Sequence, residues 1–208
     1  MASTAAAMQP RRLLDLSEQL AVLALYVWFV ARLWPDDFSP SNWYPVLILL
    51  SEGLVVFLLL IRRPTDRISI NPRDWAVAAA GTFLTLLVDK AGAPLFGDLG
   101  AGLILIGLAI HVGAKLSLRR SFGLVAANRG VKIGGLYRLV RHPMYAGYML
   151  SHIGFLLIAP LLWNLAIYAA AWVFLIARIY AEERVLSEDA EYRSFKSRVR
   201  YRLLPGVF

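Results

Sequence analysis

Apolar residues gather into six runs along the chain, over 16–34, 43–61, 75–88, 99–118, 144–159 and 161–180, separated by short polar or charged connections. Runs of this length and composition predict membrane-spanning helices, because about 20 apolar residues in helical conformation cross a hydrocarbon core. The third run has only fourteen residues. It is the weakest of the six and must borrow flanking residues or lie tilted and shielded by neighbours. Between the fifth and sixth runs stands only Pro160-Leu161-Leu162-Trp163-Asn164. Proline stops one helix and asparagine suits the turn, so these two runs predict a tight helical hairpin. The expected fold is all-α, a polytopic membrane bundle of about six spans. Residues 1–15 are expected to be a short disordered lead-in rather than a cleaved signal, because Asp15 and Glu18 interrupt the apolar stretch that follows Arg11 and Arg12.

Charge tests the span count independently. Lys and Arg accumulate in cytoplasmic loops. Placing the N-terminus, the 62–73 loop, the 115–141 loop and the C-terminal tail on one face puts twenty of the 22 basic residues there. Arg32 and Lys90 fall opposite, where the first loop carries Asp36 and Asp37. Six spans with both termini cytoplasmic follow. The net charge of +8 alone would suit nucleic acid, but its basic residues flank apolar runs, so topology accounts for them and no nucleic-acid partner is expected. A hydrophobic content of 59% leaves no separate soluble catalytic domain, so any chemistry falls to loops and helix ends. The chain has no cysteine, which excludes disulfides and thiolate nucleophiles. Its three histidines, His111, His142 and His152, match no metal-ligand spacing, and no metal is expected.

Two polar clusters carry the candidate chemistry. Tyr137-Arg138-Leu139-Val140-Arg141-His142-Pro143 leads into the fifth run. Pro143 suits the first turn of the helix it opens, so the Arg138, Arg141 and His142 donors converge with a helix N-terminus where an anion can bind. An ordinary basic flank is the alternative. The second cluster, Glu182-Glu183, follows the sixth run, with Arg178 four residues before Glu182. As an exposed helical pair, Arg178 and Glu182 would contribute only about 0.3–0.5 kcal/mol. The hairpin sets this acid cluster beside the basic one, and opposed charges around one pocket suit a zwitterionic ligand. Glu52, ionisable within the second run, is a candidate for touching substrate, and Asp89 at the end of the third is a further candidate base. His111 and His152 are expected to hydrogen-bond between helices. Trp34, Trp43 and Trp75 fit an interfacial belt. The tail after 181 is amphipathic, with Tyr192, Phe195, Val199 and Leu203 at helical spacings.

Together, Gly135-Leu136-Tyr137, Arg141-His142-Pro143-Met144-Tyr145-Ala146-Gly147, Gly154, Asn164, Glu182-Glu183 with Leu186, Tyr192 and the ending Arg202-Leu203-Leu204-Pro205-Gly206 resemble the isoprenylcysteine carboxyl methyltransferase and phospholipid methyltransferase superfamily of integral membrane enzymes. The likeness covers 121–208. It implies a methyltransferase region over 119–208, with 16–118 supplying the substrate side, and S-adenosylmethionine as cofactor in a cytoplasmic pocket. It implies cofactor contacts from Arg129, Gly130, Val131 and Lys132 through backbone groups, and from Tyr137, Arg141, His142, Tyr145, Glu182 and Glu183. Gly147 is expected to admit the following helix. Arg178 resembles the arginine that holds the substrate and serves catalysis, and Glu52 is placed with it on the substrate side. The implied acceptor is a lipophilic molecule or membrane lipid, first a carboxylate to be O-methylated, with a phospholipid amine or small thiol as alternatives. Arg129 and Lys132 make the cofactor loop more basic than the carboxyl methyltransferase pattern. From another class, the competing reading is a non-enzymatic transporter or lipid-binding scaffold.

Overall fold

A computed structural model describes residues 2–32, 44–89, 91 and 93–208, with side chains for 10–28, 31, 53–89, 91 and 93–208. Among them lie seven α-helices: α1 (Ala2–Arg32), α2 (Tyr44–Ile61), α3 (Pro72–Phe83), α4 (Gly97–Leu118), α5 (Pro143–Ile158), α6 (Leu162–Leu186) and α7 (Ala190–Arg198). The described residues hold no strand, only an isolated antiparallel bridge between Ile68 and Ala127. Among the described residues each of the six apolar runs overlaps one of the first six helices. The segments 97–121 and 162–186 have 25 residues each and are apolar enough to cross a membrane, and α5 is a shorter apolar helix. Asp36, Asp37, Trp34, Trp43 and Lys90, and the side chains of Arg32 and Glu52, lie outside the described residues.

Local chemistry sets the helix ends. Asn71 caps α3 by accepting the Arg73 N–H at 3.1 Å, with Pro72 at the first helical position. Pro143 opens α5 in the same way, and Asp189 caps α7 by accepting the Glu191 N–H at 2.9 Å. The short third run ends as expected of its length: α3 tightens into a 3₁₀ turn over Leu84–Leu87 and packs against α6, where a Cβ on Gly81 would sit 3.5 Å from Phe174 Cβ.

α1 begins at Ala2, within the segment expected to be a lead-in. Two buried carboxylates anchor its middle. Asp15 Oδ1 lies 3.0 Å from Arg62 and 2.5 Å from Arg129, and its Oδ2 accepts the Thr65 N–H at 3.1 Å. Glu18 pairs with Arg62 and stands 3.5 Å from Arg129. Charges buried this deeply must be paired, and here they fasten α1 to the end of α2 and to the 122–132 loop.

Gly147 serves a different neighbour from the one expected. It packs against the preceding helix, α4, and not α6: a Cβ there would stand 2.7 Å from Gly107 O and 2.7 Å from His111 N. Gly100 and Gly154 repeat the contact, each placing a Cβ 2.6 Å from the other's carbonyl. The seven-residue spacing of these glycines in both helices lets two antiparallel backbones touch along their length. At the far turn of the hairpin, fully buried Asn164 donates to Asp89 O at 2.7 Å and to Ala159 O at 3.0 Å, and accepts the Asp89 N–H at 2.8 Å.

The tail keeps its apolar stripe inward although the helix stops midway. Tyr192 and Phe195 on α7 are buried, and Leu203 remains so beyond the helix end at Arg198. The chain then pairs with the entrance to α5: Arg141 N donates to Tyr201 O at 3.0 Å and His142 N to Arg202 O at 2.8 Å.

Candidate active site

The last turns of α6 face the first turn of α5. Glu182 is the hub. Its Oε1 accepts the Tyr145 hydroxyl and, at 3.2 Å, Arg178 Nε, while Oε2 lies 3.7 Å from His142 Nδ1. His142 stacks on Tyr145 with ring centroids 5.8 Å apart. Glu183, one position on, points elsewhere. It is buried among Arg141 Nε at 2.8 Å, His142 Nε2 at 3.3 Å, Arg202 at 3.1 Å and Lys196 at 3.7 Å. The adjacent acids therefore divide the work, Glu182 facing a cavity and Glu183 fastening the tail to the α5 entrance.

That cavity encloses about 90 Å³ and is lined by Arg129, Gly130, Val131, Lys132, Tyr137, Arg141, His142, Tyr145 and Glu182, with Gly123, Val125, Met144 and Tyr192. Nine of the ten residues expected around a cofactor thus converge; Glu183 is the exception. Arg138, counted in the basic cluster, is exposed and takes no part. The Arg129 side chain pairs with Asp15 and stands 3.5 Å from Glu18. Gly130, with φ of +100°, makes the turn that an L side chain would strain, and its N–H donates to Asn128 Oδ1 at 2.9 Å. Asn128 in turn donates to Asp189 Oδ2 at 2.9 Å, a bond that holds the Asp189 carboxyl below its ordinary pKa and joins the loop to the α7 cap.

Burial, with Glu182 nearby, pushes the Tyr137 phenol well up; burial, with Glu183 nearby, pushes up that of Tyr192. Both stay protonated as hydroxyl donors. The Tyr192 hydroxyl is buried with no hydrogen-bond partner among the described residues.

A second cavity, about 660 Å³ and mostly apolar, lies between α1, α3, α4, α5 and α6. Met144 lines both cavities. Arg178, 5% exposed, lines the apolar one, its guanidinium 5.3 Å above the Tyr145 ring. Besides Glu182, it donates to Thr82 Oγ1 at 3.3 Å and Gly123 O at 3.4 Å. Among the described residues three of the five donors of the guanidinium are thereby used, leaving one on each terminal nitrogen. Lys115, also buried, lines this cavity with its ammonium 5.6 Å from the Tyr148 ring centre.

His111 lines the cavity too, its buried Nδ1 without a hydrogen-bond partner among the described residues, while His152 accepts the Trp172 indole N–H at 3.1 Å between α5 and α6. Asp89 stands with Asn164 at the opposite end of α6 from Arg178, roughly 21 Å away by helical rise, and is no base for this site. Sequence reasoning missed Lys115, Met144 and Thr82. A lysine sixteen places into an apolar run was the available signal for Lys115; nothing local marks the other two.

Residues 98–189 match the family model described as phospholipid methyltransferase. The segment runs from the start of α4 to the α7 cap and contains both acid and basic clusters. The chain is also similar to a solved structure of the eukaryotic intramembrane Ras methyltransferase, isoprenylcysteine carboxyl methyltransferase, with a TM-score of 0.53 and 18% identity over 91% of this chain and 75% of that one. At that identity the likeness shows the fold. No curated protein matches the chain. The family match concerns the segment from α4 to the α7 cap, and the structural likeness concerns the fold. The matched segment holds most of the motifs by which the sequence resembles the isoprenylcysteine carboxyl and phospholipid methyltransferase superfamily.

Proposed function

We propose that the protein is an S-adenosylmethionine-dependent membrane methyltransferase that takes its cofactor in the polar cavity and a lipophilic carboxylate in the apolar one. One observation carries the reading: the Arg178–Glu182 pair spans the boundary between the two cavities. The polar donor set fits the cofactor, with Glu182 for hydroxyl or ammonium donors, Arg141, His142 and Lys132 for a carboxylate, and the orphaned Tyr192 hydroxyl for one further bond. The cavity of about 90 Å³ is below the roughly 300–1,000 Å³ of pockets for drug-sized ligands, so a nucleoside-sized occupant extends beyond it.

S-adenosylmethionine bound there supplies an electrophilic methyl group. The chain's own residues align and desolvate the acceptor. Arg178, with one free donor on each terminal nitrogen, holds a carboxylate at two points, and its tie to Glu182 fixes the guanidinium plane. A carboxylate is already ionised at neutral pH and needs no base. The apolar cavity, within the usual ligand-pocket range, accommodates the greasy part and excludes water. Six spans with both termini and the polar cavity on the cytoplasmic side complete the proposal: the water-soluble cofactor arrives from one phase and the acceptor from the other.

The family match favours a phospholipid amine as the second acceptor reading. Arg178 presents donors and no acceptor to the apolar cavity, which suits a carboxylate better than an amine. The cofactor half is tested by equilibrium binding of S-adenosylmethionine to the purified protein. Saturable binding that His142→Ala weakens supports it, and absence of saturable binding overturns it.

A further inference from the structure

A four-residue segment forms the partition between the cavities. Phe122 and Leu124 line the apolar cavity, and Gly123 and Val125 line the polar one. Alternate residues face alternate ligand sites, so a shift of this backbone moves both walls together. Two buried side chains hold it. Arg178 donates to Gly123 O at 3.4 Å, and Glu18 Oε1 accepts the N–H groups of Leu124 at 2.8 Å and Val125 at 3.2 Å. The orientation of Glu18 is itself locked, because its Oε2 pairs with Arg62 and faces Arg129 at 3.5 Å, and the residue is 2% exposed. Glu18 belongs to α1, outside the segment that carries the family pattern.

We infer that Glu18 is a positioning residue for methyl transfer, fixing the 122–125 partition through two backbone amides so that acceptor and cofactor sites keep their separation. The inference rests on the proposed function. Its physical reason is the steep distance dependence of group transfer: reacting atoms must approach to about 3–3.5 Å, and a displacement of about 1 Å can cost a hundredfold in rate. A carboxylate serving only its ion pairs would contribute stability and leave that geometry alone.

Two substitutions separate these roles. Glu18→Gln retains a carbonyl acceptor at the same reach and loses the charge. Glu18→Asp retains the charge and withdraws its oxygens by one carbon–carbon bond, about 1.5 Å, out of reach of the two amides. Each is purified in lipid nanodiscs and assayed with S-adenosylmethionine and a farnesylated cysteine; hydrogen exchange at Leu124 and Val125 is followed separately without either ligand.

Glu18→Asp is expected to lower kcat at least about tenfold and speed exchange at both amides at least about tenfold, with S-adenosylhomocysteine affinity within about threefold. Glu18→Gln is expected to keep kcat and both exchange rates within about threefold while lowering the unfolding temperature. The reverse pattern, or equal losses from both, overturns the inference and leaves Glu18 a member of the ion-pair cluster. A wild-type protein that transfers no methyl group overturns the proposed function instead. The exchange data then still decide whether Glu18 holds the partition.

Discussion

Arg178 Nε lies 3.2 Å from Glu182 Oε1, one helical turn further along α6, and the pair joins a side chain that lines the apolar cavity to one that lines the polar cavity. Glu182 also accepts the Tyr145 hydroxyl and faces His142 Nδ1 at 3.7 Å, so three groups depend on one carboxylate. Glu182→Gln keeps the shape and removes the charge. Hydrogen bonds to charged groups contribute about 1.5–3 kcal/mol, and S-adenosylhomocysteine affinity measured by calorimetry is expected to fall about ten- to a hundredfold. Unchanged affinity would remove Glu182 from the cofactor site.

Tyr192 yields a prediction of two opposite signs. Its hydroxyl is buried without a partner among the described residues, a condition that costs about 1–3 kcal/mol. Tyr192→Phe should therefore raise the unfolding temperature of the empty protein while weakening S-adenosylhomocysteine about three- to tenfold, for loss of about one hydrogen bond. Loss of stability with no change in binding would mean that the hydroxyl faces no ligand.

The α4–α5 seam is tested by Gly147→Ala. The new Cβ would meet Gly107 O and His111 N, each at 2.7 Å, both on backbone that cannot move aside without parting the helices. Overpacking of this kind costs about 1–3 kcal/mol, to be seen as a lower unfolding temperature in detergent. Gly53, where an added Cβ would meet nothing within 4 Å among the described residues, is the control at which alanine is tolerated.

Glu183 is expected to behave unlike its neighbour. It holds Arg141 and His142 at the α5 entrance together with Arg202 and Lys196 of the tail. Removing one partner of a buried pair costs about 3–5 kcal/mol, and the partly exposed Arg202 and Lys196 bring this case to the lower end. Glu183→Gln should release the tail, seen as faster tryptic cleavage after Arg198 and Arg200. Cofactor binding should weaken only through the loosened entrance, by less than in Glu182→Gln.

The helices were legible because apolar runs and their stops are local signals: Pro143 at the start of α5, and Pro160 with Asn164 at the hairpin, mark boundaries that the backbone adopts. The convergence of Arg141, His142 and Glu182 was legible because the hairpin fixes which ends meet. Long-range pairing was not. Nothing near Asp15 or Glu18 announces that they meet Arg62 and Arg129, 44 to 114 residues away, so the buried fastening they form has no local signal. The partner of Gly147 was misplaced for the same reason. A small residue declares that something packs closely, and only the fold identifies α4 as the neighbour. The different orientations of Glu182 and Glu183 follow from the roughly 100° between successive helical residues, but which faces the cavity depends on where the tail returns.

Transfer of the methyl group to a lipophilic carboxylate is the central claim, and mass spectrometry tests it most directly. The protein is incubated with methyl-labelled S-adenosylmethionine and a membrane lipid extract supplemented with a farnesylated cysteine, and the labelled products are identified. The expected result is a base-labile labelled carboxyl methyl ester that is absent when Arg178→Met replaces the wild type. A label carried by a headgroup amine, or no labelled lipophilic product at all, would contradict the claim.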